Sequence, residues 1–415
     1  MSSLLRTSSA RKDSATSRAN ERGRSAVLPL RQHGVVSTRV LDPRHLSGAY
    51  QRAWIALESR ALEPNVNFSP LFAVPALQHL DPSLKVHLHL AERTDPDGSH
   101  HLIGVALLHA QRPGRLLAVP FLTAYHCRHA FLGHWLLDRD HAEEAAEALL
   151  RGIRARHWWA GAIDLPSSPI DGPQLPVMRA AAARLGLSLD VVGVKERAVL
   201  VPADGGTEAL RRQMRKQFSN VERCRRRLLE QGTLDWQILR GEVPASAIED
   251  FLALEHTGWK QESGTSLRSQ PGDEAFFKAM TAGFAAEGRA LFTELRLNDR
   301  VIASTCNYVS GDAAFAFKVG WDETFRKFGL GIFNEAELVR CAPETCADLR
   351  FIDSGSQPAS FIEMLWAGRR QVANVIIPLG PVGALVWRVQ QGMRALGRKL
   401  RAPRAAAATE AAEDA

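Results

Sequence analysis

The chain has 415 residues, 45% of them hydrophobic and 23% charged, with a formal net charge of +7 and a pI near 9.4. These proportions exclude a mostly disordered or fibrous protein, and the length exceeds one ordinary core, so two domains are expected. Cys127, Cys224, Cys306, Cys341 and Cys346 are odd in number and irregularly spaced, which argues against a secreted disulfide framework, and no run reaches the roughly 18 apolar residues of a membrane span.

Residues 1–35 read as a disordered Ser/Arg-rich tail. The tail lacks the apolar core of a secretory signal, and Asp13 and Glu21 argue against an organelle presequence, so a cytoplasmic protein is expected. The basic balance favours anionic partners such as phosphates, acidic glycans or a membrane surface.

Beyond the tail the chain echoes itself. Trp54-Ile55-Ala56-Leu57-Glu58 resembles Phe251-Leu252-Ala253-Leu254-Glu255, 197 positions later. Ile103 and Ile302 stand 199 apart within strand–turn–strand patterns at 86–110 and 291–311. Ile163-Asp164 and Ile352-Asp353, 189 apart, each close a strand that follows a helix. Three echoes in one order predict two copies of an α+β unit, at 36–200 and 201–380. In the second copy Leu291–Leu297, Val301–Val309 and Ala313–Val319 form an antiparallel meander. Its corners are Asn298-Asp299 and Ser310-Gly311-Asp312, residue types that accept turn conformations.

The second copy opens with an expected helix over Leu210–Gln231. Leu210, Met214, Phe218, Val221 and Leu228 fall near one face, and eight Arg and Lys residues cover the rest. That basic surface is either a solvated face or an electrostatic site for an acidic acceptor. Nucleic-acid binding finds no recognised module.

After the meander comes Arg326-Lys327-Phe328-Gly329-Leu330-Gly331, entering a helix with Ile332, Phe333, Ala336 and Leu338. A helix start leaves backbone N–H groups unpaired at its positive end. Gly329 and Gly331 let a pyrophosphate approach the backbone, and Arg326 and Lys327 add charge. The bland reading is a glycine turn that merely starts a helix.

This R-x-x-G-x-G after a strand resembles the pyrophosphate-binding signature of GNAT acetyltransferases. Leu254-Glu255 followed by Gly258-Trp259-Lys260, and Phe317-Lys318-Val319-Gly320-Trp321-Asp322, resemble the CelD-like branch linked to cellulose and exopolysaccharide synthesis. That branch is related to FemAB-type tandem GNAT proteins. The resemblance covers about 205–375 and implies a tandem GNAT-like fold, each half a mixed, mostly antiparallel sheet flanked by helices. It implies acetyl-CoA or another acyl-CoA as co-substrate and an amine or hydroxyl acceptor, a saccharide among them. The first half shows no R-x-x-G-x-G, so one acyl-CoA site per chain is expected. Phe361-Ile362 stand where the branch has Tyr-Lys, which removes a general-acid tyrosine.

Asp353 is the first candidate for a general base, with holding the turn through Ser354-Gly355-Ser356 as its alternative role. Glu255 is the second, with an exposed helix position or an ordinary salt bridge as its alternative. Trp259 and Lys260 line the acceptor channel or belong to core and surface, and Lys318 reaches a phosphate or points to solvent. No set of four metal ligands is visible around Cys341-x4-Cys346 or the histidine clusters, so no metal is expected. Two further functions stay open: a FemAB-like aminoacyl-tRNA-dependent transferase, and an inert scaffold in polysaccharide assembly. Residues 381–415 read as a basic helix, Trp387–Arg404, then an Ala-rich tail; the helix is either a surface helix packing on its own domain, the ordinary reading, or a peripheral membrane contact at the inner face of the membrane.

Overall fold

A computed structural model describes residues 34–111, 119–390 and 392. The first half runs β1 (Val35–Leu41), α1 (Gly48–Ser59), α2 (Pro70–His79), β2 (Val86–Thr94), β3 (His100–Gln111), β4 (Phe121–Ala124), β5 (Leu136–Leu137), α3 (Ala142–Arg156), β6 (Ala162–Pro169), α4 (Gln174–Arg184) and β7 (Asp190–Leu200). The second half opens with α5 (Thr207–Met214), α6 (Lys216–Leu229), β8 (Leu234–Arg240), α7 (Ala245–Glu255), α8 (Gly258–Glu262) and α9 (Pro271–Ala286). It continues with β9 (Ala290–Leu297), β10 (Arg300–Ser310), β11 (Ala313–Trp321), α10 (Leu330–Thr345), β12 (Phe351–Asp353), β13 (Gly368–Pro378) and α11 (381–390).

Local chemistry sets many of these boundaries. The Ser47 hydroxyl accepts from Tyr50 N–H at the start of α1, and Ser69 accepts from Leu71 N–H where Pro70 opens α2. Asn298 and Asp299 both take positive φ, 50° and 65°, and close the tight β9–β10 hairpin. The expected helix over Leu210–Gln231 is two helices, because Arg215 adopts φ 47° and ψ −109°. A straight helix of that length would run about 33 Å, longer than the roughly 24 Å of α10, on which both pieces pack. The break lets both lie on it.

All the strands join one sheet in the order β1-β2-β3-β4-β6-β13-β7-β12-β11-β10-β9-β8, with β5 beside β3. The same plan occurs twice. An antiparallel meander of four strands ends on a strand that pairs in parallel with the next long-range partner, β4 with β6 and β11 with β12. Helices α3 and α10 make the two crossovers. The echoes noted above fall on equivalent elements: α1 and α7, β3 and β10, β6 and β12.

The last strand of each half is exchanged. β13 inserts between β6 and β7, and β7 pairs with β12. The apolar core is shared as well. Trp54 and Phe72 belong to one buried cluster with Phe251, Phe276 and Phe284, and the Phe72 and Phe276 rings meet edge-on at 5.2 Å. A second cluster lies under α5, α6 and α10, around Leu210, Ile302, Phe333 and Trp366. The Ser/Arg-rich tail and most of the expected basic helix at 387–404 lie outside the described residues. No helix among the described residues is long and apolar enough to cross a membrane.

Candidate functional site

The parallel pair β11–β12 is short. Ala313, Ala314 and Phe315 face Phe351, Ile352 and Asp353, and there the pairing stops, while β11 runs on to Trp321. The register against β10 slips between Cys306 and Asn307, which puts a β-bulge at Phe317. Beyond Phe315, and so before the bulge, β11 and β12 are no longer paired.

The glycine loop lies at the far end of β11. Asp322 accepts from Thr324 N–H at 2.9 Å and starts a 3-10 turn, Glu323–Phe328. Phe328 and Leu330 are buried and anchor the loop, while Arg326, Lys327 and Gly329 are exposed. Gly329 is left-handed, φ 60° and ψ 48°, and begins α10 with no side-chain cap. A Cβ at Gly329 would meet nothing within 4 Å, and one at Gly331 would come no nearer than 3.6 Å to Trp321. First-turn N–H groups thus stand at an uncapped helix start, beside two cationic side chains and open space. Those are the requirements of an anion site.

On the other side of β11 the structure brings three of the expected residues together. Glu255, fully buried, lies 3.2 Å from Lys318 Nζ and 3.6 Å from Lys260 Nζ, and accepts from Leu267 N–H at 2.7 Å. Lys260 also donates to Val319 O at 2.6 Å. Burial pulls the Lys260 pKa down, and Glu255 opposes the shift. The Glu255 carboxylate is thus shared by two ammonium groups and a backbone N–H. Trp259 belongs to α8, and its side chain lies outside the described residues.

Asp353 stands apart from that cluster. It is fully buried, accepts from Gly355 N–H at 2.8 Å, and lies 3.6 Å from Arg197 and 3.3 Å from Arg370. Arg370 also pairs with Glu63, so the network ties β12 to β7, β13 and the first half. Burial raises the Glu63 pKa, against the pull of Arg370, and lowers that of Arg197. The turn-holding role thus has a structural basis that the basic role lacks. Asp353→Asn is expected to destabilise the whole chain by about 3–5 kcal/mol, since two buried arginines lose a shared counter-charge. A urea midpoint unchanged from the parent would refute this.

Two further functional candidates emerge only from the folded structure. The first is His129, on the first-half loop after β4. Its Nε2 lies 3.0 Å from Asp273 Oδ1 on α9, an oxygen that Arg128 Nε also reaches at 2.8 Å. The ring stacks on Phe276, centroids 5.6 Å apart, and lies 5.6 Å from the bulge residue Phe317. Burial lowers the His129 pKa while Asp273 opposes the shift, which favours the neutral ring. With Asp273 accepting from Nε2–H, Nδ1 keeps its lone pair. The His-Cys-Arg-His run was visible in the sequence, but its orienting carboxylate is 144 residues away.

The second is Glu335, one helical turn after Gly331 and on the same side of α10, the side facing Val319 and Trp321. It is buried, Oε2 has no hydrogen-bond partner, and desolvation pushes its pKa up to about 8. The stripe Gly331, Glu335, Leu338, Ala342 was the only sequence signal for it. The folded chain holds this proton while the unfolded chain releases it above its ordinary 4.5. Stability from this group is therefore full below about pH 4.5 and lost progressively as pH rises to about 8, by on the order of a few kcal/mol. Glu335→Gln is expected to remove that part of the decline, giving a flatter melting-temperature profile between pH 5 and 8. An unaltered slope would show that the carboxyl does not titrate there. Among the described residues, no group of three or more His, Cys, Asp or Glu side chains could hold a metal ion.

Residues 215–360 match the family model of the acetyltransferase (GNAT) domain. No curated protein sequence matches the chain. Among solved structures, FemX is similar over 82% of this chain and 96% of its own, at 12% identity and a TM-score of 0.52. A conserved protein of unknown function from Bacteroides thetaiotaomicron is similar over 81% and 98%, at 11% identity and a TM-score of 0.49. A tandem GNAT protein from the clavulanic acid biosynthesis pathway is similar over 84% and 99%, at 14% identity and a TM-score of 0.39. The fold is α+β and tandem GNAT-like, a mixed sheet flanked by helices, and the match to the GNAT domain model falls in its second half.

Proposed function

We propose that the chain is an acyl-CoA-dependent acyltransferase with one acyl-CoA site, in the second half, acting on an amine or hydroxyl acceptor. The observation that carries this reading is the uncapped start of α10 at left-handed Gly329, beyond the stretch of β11 that no longer pairs with β12. The N–H groups of Leu330, Gly331 and Ile332 hold the pyrophosphate, with Arg326 and Lys327 adding charge. Bound acyl-CoA supplies the activated thioester. The acceptor attacks the thioester carbonyl while His129 takes its proton through Nδ1 and Asp273 fixes the ring and stabilises the imidazolium; the C–S bond then breaks and the departing CoA thiolate takes up that proton. Neither Asp353 nor Glu255 takes that role, because each is paired with two cations, Arg197 and Arg370 or Lys260 and Lys318. Lys260 and Lys318 position β11 through Glu255, and Trp259 is assigned with Lys260 to the acceptor side.

The CelD-like resemblance of Leu254–Lys260 and Phe317–Asp322 supports a saccharide acceptor in exopolysaccharide or envelope synthesis. A second reading, aminoacyl-tRNA-dependent transfer of the FemAB kind, draws support from the likeness in fold to FemX. Calorimetry with acetyl-CoA on the whole chain separates the two. Saturable binding at one site per chain supports the first, and no binding at millimolar acetyl-CoA overturns it.

A further inference from the structure

We propose that the end of the molecule where β6 begins and β13 ends docks on an anionic lipid surface. Three segments meet there. The turn after α3 presents Trp158, 84% exposed, and Trp159, 36% exposed. Gly161 follows, donating to Pro120 O at 2.9 Å and accepting from Leu379 N–H at 3.0 Å. Helix α11 then starts so close that a Cβ on Gly383 would collide with Gly161 O. Trp387 Nε1 donates to Asp190 Oδ2 at 2.8 Å and pins the helix across the strand ends. With Gly383 and Trp387 turned inward, Val382, Leu385 and Val389 face out, 68%, 64% and 45% exposed. Their i, i+3, i+7 spacing makes one apolar stripe.

Apolar surface of this kind needs an occupant, and charge selects it. Arg154, Arg156 and Arg388 are exposed around the patch. A second copy meeting this face about a two-fold axis would set arginine against arginine. Residues 1–33, rich in arginine themselves, carry the same sign. An anionic bilayer surface meets both needs. Tryptophan and short aliphatic side chains settle at the headgroup boundary, and nearby Arg and Lys side chains are attracted to acidic lipid.

The test is sedimentation of the full chain with vesicles of phosphatidylcholine alone or of equal parts phosphatidylcholine and phosphatidylglycerol. Binding to the mixed vesicles is expected at low salt, at least about tenfold tighter than to phosphatidylcholine and weakened by salt. Trp158→Ala with Trp159→Ala, and separately Leu385→Glu with Val389→Glu, should each weaken it about tenfold or more, with melting temperatures unchanged. Quenching of the parent chain's tryptophan fluorescence by brominated lipid reads the same contact without any substitution. Equal binding to both vesicles, absence of quenching, or indifference to both substitution pairs would overturn the proposal. So would a dimer in light scattering that Leu385→Glu with Val389→Glu converts to monomer, since the face would then be a protein interface.

Discussion

His129→Ala is expected to lower turnover about 10²–10⁴-fold, the usual contribution of a positioned general base, with acyl-CoA affinity nearly unchanged. The separation follows from geometry. His129 touches Asp273, Phe276 and Phe317 on one side of β11, whereas the pyrophosphate groups lie at the start of α10. The parent profile of kcat/KM should fall as pH drops through the His129 pKa, which burial sets below its ordinary 6.5. That acid limb should vanish in His129→Ala, and added imidazole should restore part of the rate. Asp273→Asn removes the charge that favours the imidazolium, so the limb should move to still lower pH while turnover falls. Release of free CoA from acetyl-CoA with a panel of amino sugars and amines measures all of this. An unchanged acid limb in His129→Ala would remove the residue from the chemistry.

Gly329→Glu combined with Gly331→Glu is expected to abolish acetyl-CoA binding in calorimetry. Two carboxylates placed where the pyrophosphate must sit repel it, and their side chains fill the approach that glycine leaves open. Gly329 is left-handed, so part of the effect is backbone strain of roughly 1–2 kcal/mol. Gly331→Ala serves as the control, since its added Cβ makes only ordinary contact with Trp321. That variant should fold and bind weakly. Undiminished binding by the double variant would move the acyl-CoA site away from this loop.

The meanders were legible because turns and alternation are local. Asn298-Asp299 announces its hairpin within four residues, and R-x-x-G-x-G names both the strand before it and the helix after it. The exchange of β7 and β13 was not legible, because which edge an apolar strand joins depends on partners about 150–215 residues distant. The break at Arg215 escaped for a related reason. The apolar spacing runs unbroken through it, and only the shared packing on α10 demands it. Among the site residues, the sequence identified Asp353 and Glu255 as carboxylates but not the cations buried against them. His129 was visible as one of a run of polar residues, yet a base is defined by what orients it, and Asp273 reaches it only through folding.

The exchanged strands also govern how the chain leaves the ribosome. β6 has no partner on one edge until residues 368–378 emerge, so neither half can complete its sheet during synthesis of the other. The first half must wait through nearly the whole translation with an open apolar edge, a situation that invites chaperone binding or aggregation. A premature stop anywhere before Gly368 would therefore disable the early half as surely as the late one.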